Sequence, residues 1–168
     1  LLSRTVAVKI LSRTDDDPET LRRFSNEAQS AAKLDHENIA RVFFVGQDHG
    51  WSYIVFEFVE GQNLRQMVME QGPLSLDLIM RYMYQLVRAV DHAATRKVIH
   101  RDIKPSNVLV TEDHRVKLVD MGLARTQRLN ADQEDMTASG MTLGTFDYIS
   151  PEQARDPRDA DTRSDIYS

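Results

Sequence analysis

The order of hydrophobic and polar positions predicts three strands in the first part of the chain. Residues 6–11 alternate, with Val, Val and Ile on one face and Ala, Lys and Leu on the other, as in a half-buried strand. Residues 39–45 and 53–59 are also β-rich, and the turn-like sequence Gln-Asp-His-Gly at 47–50 separates them. These two runs therefore predict a pair of strands joined by a short connection.

Two stretches have the period of an amphipathic helix. Residues 17–19, Asp-Pro-Glu, combine an N-cap, a proline at the first helical position and an acid in the first turn, so they predict a helix start. A second helix is predicted from about residue 76 to residue 95, with Ser75 as its cap. The apolar positions that form one face of the first helix are Leu21, Phe24, Ala28, Ala31 and Leu34.

A β-hairpin is predicted between two short apolar runs, residues 108–110 and residues 116–119, which are joined across Glu-Asp-His-Arg at 112–115. Asn107 and Asp120 flank this hairpin directly. We therefore expect the hairpin to bring their side chains together.

Composition and charge narrow the choice of function classes. The chain has 168 residues, 41% of them hydrophobic, which is enough to bury a substantial core. Its formal net charge of −5 argues against a nucleic-acid surface or a polybasic membrane surface. It has no cysteine, its five histidines lack metal-ligand spacing, and no apolar run approaches the roughly 20 residues that span a bilayer. These facts suit a cytoplasmic domain.

Candidate chemistry is concentrated at the two ends of the predicted hairpin. Residues 100–107 read His-Arg-Asp-Ile-Lys-Pro-Ser-Asn, and Asp120 directly follows the second strand of the predicted hairpin. Asp102 can orient an attacking hydroxyl and accept its proton, and Lys104 can neutralise charge on a transferring phosphoryl group. Asn107 and Asp120 can hold Mg²⁺. A polar loop is the plainer interpretation of any one of these residues, but the length of the complete motif favours phosphoryl transfer.

Together with these residues, motifs along the whole chain resemble the eukaryotic-type protein kinase family. Val-Ala-Val-Lys at 6–9 is similar to the family's strand lysine motif, and Glu-Phe-Val at 57–59 to its hinge. Gly-Thr at 144–145 resembles the end of its activation segment. Ser-Pro-Glu-Gln-Ala-Arg at 150–155 and Arg-Ser-Asp-Ile-Tyr-Ser at 163–168 look most like the bacterial Ser/Thr kinases of this family.

The resemblance implies an α+β, protein-kinase-like two-lobe fold that is present in part. It places a β-rich part of the N-lobe in residues 1–56, a hinge in 57–62 and the first part of the helical C-lobe in 63–168, with an activation segment at about 120–152. The family's Gly-rich loop would lie before the first residue, and most of the helical lobe after the last. We therefore expect a partial kinase domain, inactive when taken alone, in which Asp165 lacks the helix that would hold it under the catalytic loop.

A nucleotide site, with ATP and Mg²⁺ as cofactors, also follows from the resemblance. Ala7 and Lys9 share a strand face and lie about 7 Å apart at the rise of a strand. The small side chain of Ala7 would lie against adenine while Lys9 reaches phosphate oxygens. The other residues implied around adenine are the back-pocket residue Phe56, the hinge backbone of Glu57 and Val59, and the floor residue Leu109.

The first predicted helix carries Glu27 within its apolar stripe. A half-buried carboxylate needs a partner, and the resemblance supplies Lys9. From this stretch alone, a glutamate at the rim of the helix, paired with solvent or with Arg23, is an equal alternative. The kinase motifs elsewhere in the chain favour the Lys9–Glu27 pair.

Residues 126–144 are polar and lack a regular pattern, and a loop of that length in a compact domain is usually functional or mobile. Arg101 and Arg125 would form a basic pocket that a phosphate on this loop could fill. Surface hydroxyls are common, so the plainer interpretation is solvent exposure. The candidate phosphorylation sites are Thr137, Ser139 and Thr142.

The sequence therefore predicts a kinase that transfers the ATP γ-phosphoryl group to Ser or Thr hydroxyls of protein substrates. Lys104 favours Ser/Thr over Tyr, because tyrosine enzymes of the family usually carry other residues there. Met121 replaces the family's common Phe after Asp120, an apolar exchange that leaves the carboxylate in place. One alternative is a pseudokinase that binds partners through the fold, which usually lacks one of the catalytic groups. Another is a small-molecule phosphotransferase, against which residues 144–152 argue, because that segment forms a protein-substrate platform in kinases.

Overall fold

The computed structural model describes residues 4–11, 18–121 and 147–168. One-turn 3₁₀ helices lie at Pro105–Asn107 and Pro157–Asp159. The described elements, in chain order, are β1 (Val6–Ile10), α1 (Pro18–Ala31), β2 (Val42–Asp48), β3 (Trp51–Glu57), β4 (Gln62–Asn63), α2 (Leu64–Gln71), α3 (Leu76–Thr95), β5 (Val108–Val110), β6 (Val116–Leu118), α4 (Pro151–Arg155) and α5 (Thr162–Tyr167).

The first sheet is antiparallel and has the spatial order β1-β3-β2. Its register places Ala7 opposite Phe56 and Lys9 opposite Ile54. His49 and Gly50 make the turn between β2 and β3 with φ values of 47° and 80°. Strands β2 and β3 both extend further toward this turn than predicted. The left-handed residues of the turn determine where strand pairing begins, and β propensity alone does not determine it.

Helix α1 covers one face of this sheet. It begins at Pro18, as the sequence predicts, since a proline at the first helical position gives up no intrahelical hydrogen bond. Phe24 and Ala28, one turn apart, are buried against Ile54 at the centre of the sheet. This packing holds α1, which carries Glu27, against β3. Strand β3 in turn pairs with β1, which carries Lys9.

Helix α3 spans Leu76–Thr95, as predicted. The Ser75 side chain accepts a hydrogen bond from the Leu78 amide at 3.4 Å, which satisfies one of the free donors of the first turn. The apolar face of α3 packs into the larger core together with the second sheet. The buried residues on this face are Tyr82, Leu86, Ala89 and Ala93.

The second sheet, β4-β5-β6, contains the predicted hairpin. It is joined to the segment that leads into β2: the Leu118 amide donates to the Asn38 carbonyl at 2.8 Å, and the Ala40 amide donates to the Leu118 carbonyl at 2.9 Å. Ile39 forms a parallel bridge with Leu118 at this point. The hairpin therefore has a fixed position relative to the first sheet.

Two short capped helices complete the described chain. Ser150 and Gln153 form a capping box at the start of α4, and Asp161 and Ser164 form one at the start of α5. Across residues 4–11, 18–121 and 147–168, no helix has both the length and the apolar character needed to cross a bilayer.

Candidate active site

Asp165 of α5 supports the loop that leads to Asp102. Asp165 is 7% exposed, and its carboxylate accepts the His100 amide at 2.8 Å and the Arg101 amide at 2.7 Å. Burial raises the pKa of Asp165, and the two amide hydrogen bonds oppose that rise. The expectation that Asp165 lacks a supporting helix is wrong: the cap at Asp161 starts α5 just before it, so Asp165 already sits in a first helical turn.

His100 fills the space between this loop and the end of β6. Its Nδ1 lies 3.2 Å from the Asp102 amide and its Nε2 lies 2.8 Å from the Val119 carbonyl. An acceptor at Nδ1 and a donor at Nε2 correspond to the neutral ring protonated at Nε2. Burial lowers the pKa of His100, which favours the same neutral form.

The Asp102 carboxylate is held by two neighbours on its own loop. Lys104 Nζ lies 2.7 Å from Asp102 Oδ2. Asn107 Nδ2 donates to the same oxygen at 3.0 Å and to the Asp102 carbonyl at 2.8 Å. The 3₁₀ turn at 105–107 makes these contacts possible, because it returns Asn107 to the start of the loop. A carboxylate fixed by a cation and an amide keeps one orientation.

Asp120 follows β6 in the left-handed region, with φ 60°. Its Oδ1 lies 2.9 Å from Lys9 Nζ. The Val119 amide donates to the Asn107 carbonyl at 3.0 Å, so the end of β6 and the 3₁₀ turn are adjacent. The Lys9–Asp120 pair is partly exposed, and pairs of this kind contribute about 0–1 kcal/mol. A pair this weak leaves Lys9 able to exchange Asp120 for another anionic partner.

The donor set around Asn107 and Asp120 fits Mg²⁺. The Asn107 Nδ2 donates both of its hydrogen bonds to Asp102, which leaves the Asn107 Oδ1 as the atom that could bind a metal. Among the described residues, no group of three or more His, Cys, Asp or Glu could hold a metal by itself. Mg²⁺ is usually bound by one or two carboxylates together with substrate phosphates, so this donor set suits a shared site.

Residues predicted around adenine lie on both sheets. Ala7 and Phe56 are paired across β1 and β3. Glu57 ends β3, and Lys117 Nζ reaches both of its carboxylate oxygens, at 2.8 and 2.9 Å. Burial alone would raise the pKa of Glu57, but the hydrogen bonds from Lys117 and from the Arg41 amide lower it. Leu109 on β5 pairs with Lys117 across the hairpin, so it lies one strand away from the residue of β6 that contacts the end of β3.

Several predicted residues fall outside the described part of the structure. The backbone of Glu27 lies in α1, but its side chain is outside the described residues, as are Arg125 and the candidate phosphorylation sites Thr137, Ser139 and Thr142. The Lys9–Glu27 pair and the phosphate pocket therefore remain predictions.

Sequence reasoning missed two residues that contact the site. Gln153 Nε2 donates to the Arg101 carbonyl at 2.9 Å, and Lys117 holds Glu57. The Ser-x-x-Gln spacing at 150–153 is a recognisable capping signal. The hydrogen bond from Gln153 to the Arg101 carbonyl, 52 residues away in sequence, has no local sequence signal.

The chain is similar in sequence to known protein kinases. The family model described as "Protein kinase domain" matches residues 2–168. The serine/threonine-protein kinase PrkC of Bacillus subtilis is 41% identical over an alignment of 170 residues, which covers 100% of this chain and 25% of that protein. The serine/threonine-protein kinase PknL of Mycobacterium tuberculosis is 37% identical over 168 residues, covering 99% of this chain and 41% of that protein.

A solved structure shows the same fold. The crystal structure of the Mycobacterium tuberculosis PknI kinase domain superposes with a TM-score of 0.69 and 30% sequence identity, covering 95% of this chain and 58% of that one. The chain thus spans a quarter of PrkC and just over half of the PknI kinase domain. With its matching motifs, its loop geometry and a family match over nearly its full length, the chain belongs to the protein kinase domain family.

Proposed function

We propose that the protein containing this chain is a serine/threonine protein kinase that transfers the γ-phosphoryl group of ATP to Ser or Thr hydroxyls of protein substrates. The observation that carries the proposal is the Asp102 carboxylate, fixed by Lys104 at 2.7 Å and by Asn107 at 3.0 Å. Its relatives PrkC and PknL are named serine/threonine-protein kinases. The pseudokinase alternative gains no support, because Lys9, Asp102, Asn107 and Asp120 are all retained.

In this proposal, Asp102 aligns the acceptor hydroxyl and takes its proton as the oxygen bonds to the γ-phosphorus and the bond from that phosphorus to the leaving oxygen of ADP breaks. Lys104 lies beside Asp102 and stabilises negative charge on the transferring group. Mg²⁺, when bound with ATP, would neutralise part of the charge on the phosphates. Asn107 and Asp120 are the residues that would hold this ion.

Lys9 would bind the nucleotide phosphates after leaving Asp120, and Glu27 on α1 would hold it in place. Ala7, Phe56 and Leu109 would enclose adenine, while the backbone of Glu57 and Val59 would form hydrogen bonds with it. Lys117 restrains Glu57 by a bidentate contact. The hinge backbone is therefore restrained before nucleotide binds.

Regulation is proposed to act through phosphorylation of Thr137, Ser139 or Thr142, with Arg101 and Arg125 binding the phosphate. Mass spectrometry of the fully active protein should find phosphate on at least one of these residues. Fully active protein that is unmodified at all three would contradict this part of the proposal.

The proposed reaction is tested by incubating the full-length protein with γ-labelled ATP, Mg²⁺ and peptides that differ only in carrying Ser, Thr or Tyr. Label is expected on Ser and Thr, and its transfer should require Mg²⁺. An Asp120→Asn variant should bind Mg²⁺-nucleotide more weakly and transfer less label, because one metal-binding carboxylate is lost. Transfer to Tyr alone, or no transfer by the wild-type protein, would refute the proposal.

A further inference from the structure

The peptide unit between Arg101 and Asp102 is held at both of its polar atoms. Its carbonyl, on Arg101, accepts a hydrogen bond from Gln153 Nε2 at 2.9 Å. Its amide, on Asp102, donates to His100 Nδ1 at 3.2 Å. Because a peptide unit is planar, fixing both its oxygen and its nitrogen sets the direction in which the Asp102 backbone continues.

This peptide needs support because of the conformation that precedes it. Arg101 has φ 67°, a left-handed conformation that is unfavourable for a residue other than glycine. Such residues cost on the order of 1–3 kcal/mol and persist where surrounding contacts determine them. The Arg101 amide is held by Asp165 at 2.7 Å and its carbonyl by Gln153, so contacts from two different helices fix this residue.

Gln153 is well placed to be a rigid donor. It is 4% exposed and lies on α4, where the capping box fixes its position. Its Oε1 accepts from the Ser150 amide at 3.3 Å and from the Ser150 hydroxyl at 3.1 Å, which directs Nε2 away from the cap and toward Arg101. The two ends of one amide group therefore perform separate tasks, one in capping the helix and one in holding the loop.

We propose that Gln153 is a positioning residue for phosphoryl transfer: through the Arg101 carbonyl it sets the orientation of Asp102, so that α4 forms part of the support of the catalytic loop. The inference rests on the proposed kinase function for its kinetic consequence. A displacement of about 1 Å at a reacting group can lower a rate about 100-fold, so loss of this hydrogen bond is expected to lower kcat about 10- to 100-fold.

Two substitutions separate positioning from helix capping. Gln153→Glu keeps the acceptor of the capping box, since Ser-x-x-Glu is itself a favourable box, but replaces the donor to Arg101 with an oxygen. Gln153→Met removes the donor without adding a charge, in case the buried carboxylate prevents folding. Ser150→Ala is the matched control, because it removes the side-chain cap of α4 but keeps the Ser150 amide, which still donates to Gln153 Oε1 and directs Nε2 toward Arg101.

In the full-length protein, both Gln153 variants should show a reduced kcat with an unchanged KM for ATP. Ser150→Ala should lower the melting temperature with kcat within about twofold of wild type, since loss of a cap costs about 1 kcal/mol of stability. Wild-type kcat in both Gln153 variants, or an equal loss of kcat in Ser150→Ala, would overturn the inference.

A second readout does not depend on activity. Hydrogen exchange of the Asp102 amide should be faster in Gln153→Met than in wild type and unchanged in Ser150→Ala. If the wild-type protein transfers no phosphate, the proposed function fails while this measurement still tests the positioning role. Unchanged exchange in Gln153→Met would contradict the positioning role even in an active kinase.

Discussion

At the scale of single residues, the site depends on two strained backbone positions. Arg101 and Asp120 both have positive φ, at 67° and 60°, and each stands beside or carries a carboxylate proposed for the reaction. The sequence predicts which polar side chains lie near each other, because their roles follow from residue type and spacing. It does not predict left-handed conformations at residues other than glycine, because these are stabilised by contacts between residues distant in sequence. The hydrogen bond that the Arg101 amide donates to Asp165 is one such contact.

Lys9 has two proposed partners, and double-mutant cycles can separate them. We expect Lys9→Met and Glu27→Gln each to lower activity, and the double variant to lose much less than the sum, because both disturb one ion pair. Lys9→Met and Asp120→Asn should be non-additive in nucleotide affinity for the same reason. Lys33→Met, which removes an exposed lysine after α1, is the control and should leave activity and nucleotide affinity unchanged. Strict additivity of Lys9 and Glu27 would place Glu27 at the rim of the helix.

At the scale of elements, the limits of α3 could be predicted and its polar contacts could not. The cap at Ser75 and the apolar period are local signals, so they fix where the helix begins and which face is buried. The side chain of Gln85 on that helix accepts from the Asn38 side chain and from the Val116 amide, both at 2.9 Å, and so joins α3 to the β5–β6 hairpin. The partners of such a contact are distant in sequence and leave no periodic pattern.

Asn38 is expected to be a point of high local stability. Its side-chain amide donates to Gln85 and to the Val116 carbonyl, both at 2.9 Å, and the residue is 3% exposed. Asn38→Ala should lower the free energy of unfolding of the full-length protein by about 1–3 kcal/mol, because the Val116 carbonyl and Gln85 Oε1 each lose the hydrogen bond from Asn38. Asn26→Ala, on the exposed side of α1, should change it by less than about 0.5 kcal/mol. Equal denaturation midpoints for the two variants would contradict this role of Asn38.

At the scale of the whole molecule, the two sheets are joined beside the candidate site. The Ile39–Leu118 bridge and the Lys117–Glu57 contact hold the first sheet and the segment before it against the hairpin that leads into Asp120. The sequence predicts the α+β class and the kinase family through motif order. It does not predict these junctions, because Lys117 on a strand face would ordinarily be solvated.

An apolar groove of about 360 Å³ lies between α3 and α5. Met83, Val87 and Ile166 line it and remain 46%, 60% and 74% exposed. Residues 1–168 expressed alone are therefore expected to self-associate through this groove. Replacing Val87 and Ile166 with Glu should reduce the self-association seen by size-exclusion chromatography. Wild-type residues 1–168 that stay monomeric at every concentration tested would contradict this expectation.

The central claim is that Asp102 serves the acceptor hydroxyl in phosphoryl transfer, and Asp102→Asn in the full-length protein tests it most directly. The account predicts that kcat falls by about 10²–10⁴-fold while ATP affinity stays close to wild type, because the amide cannot accept the proton. Asp91→Asn, an exposed carboxylate on α3, is the matched control and should retain full turnover. Unchanged turnover in Asp102→Asn would contradict the account.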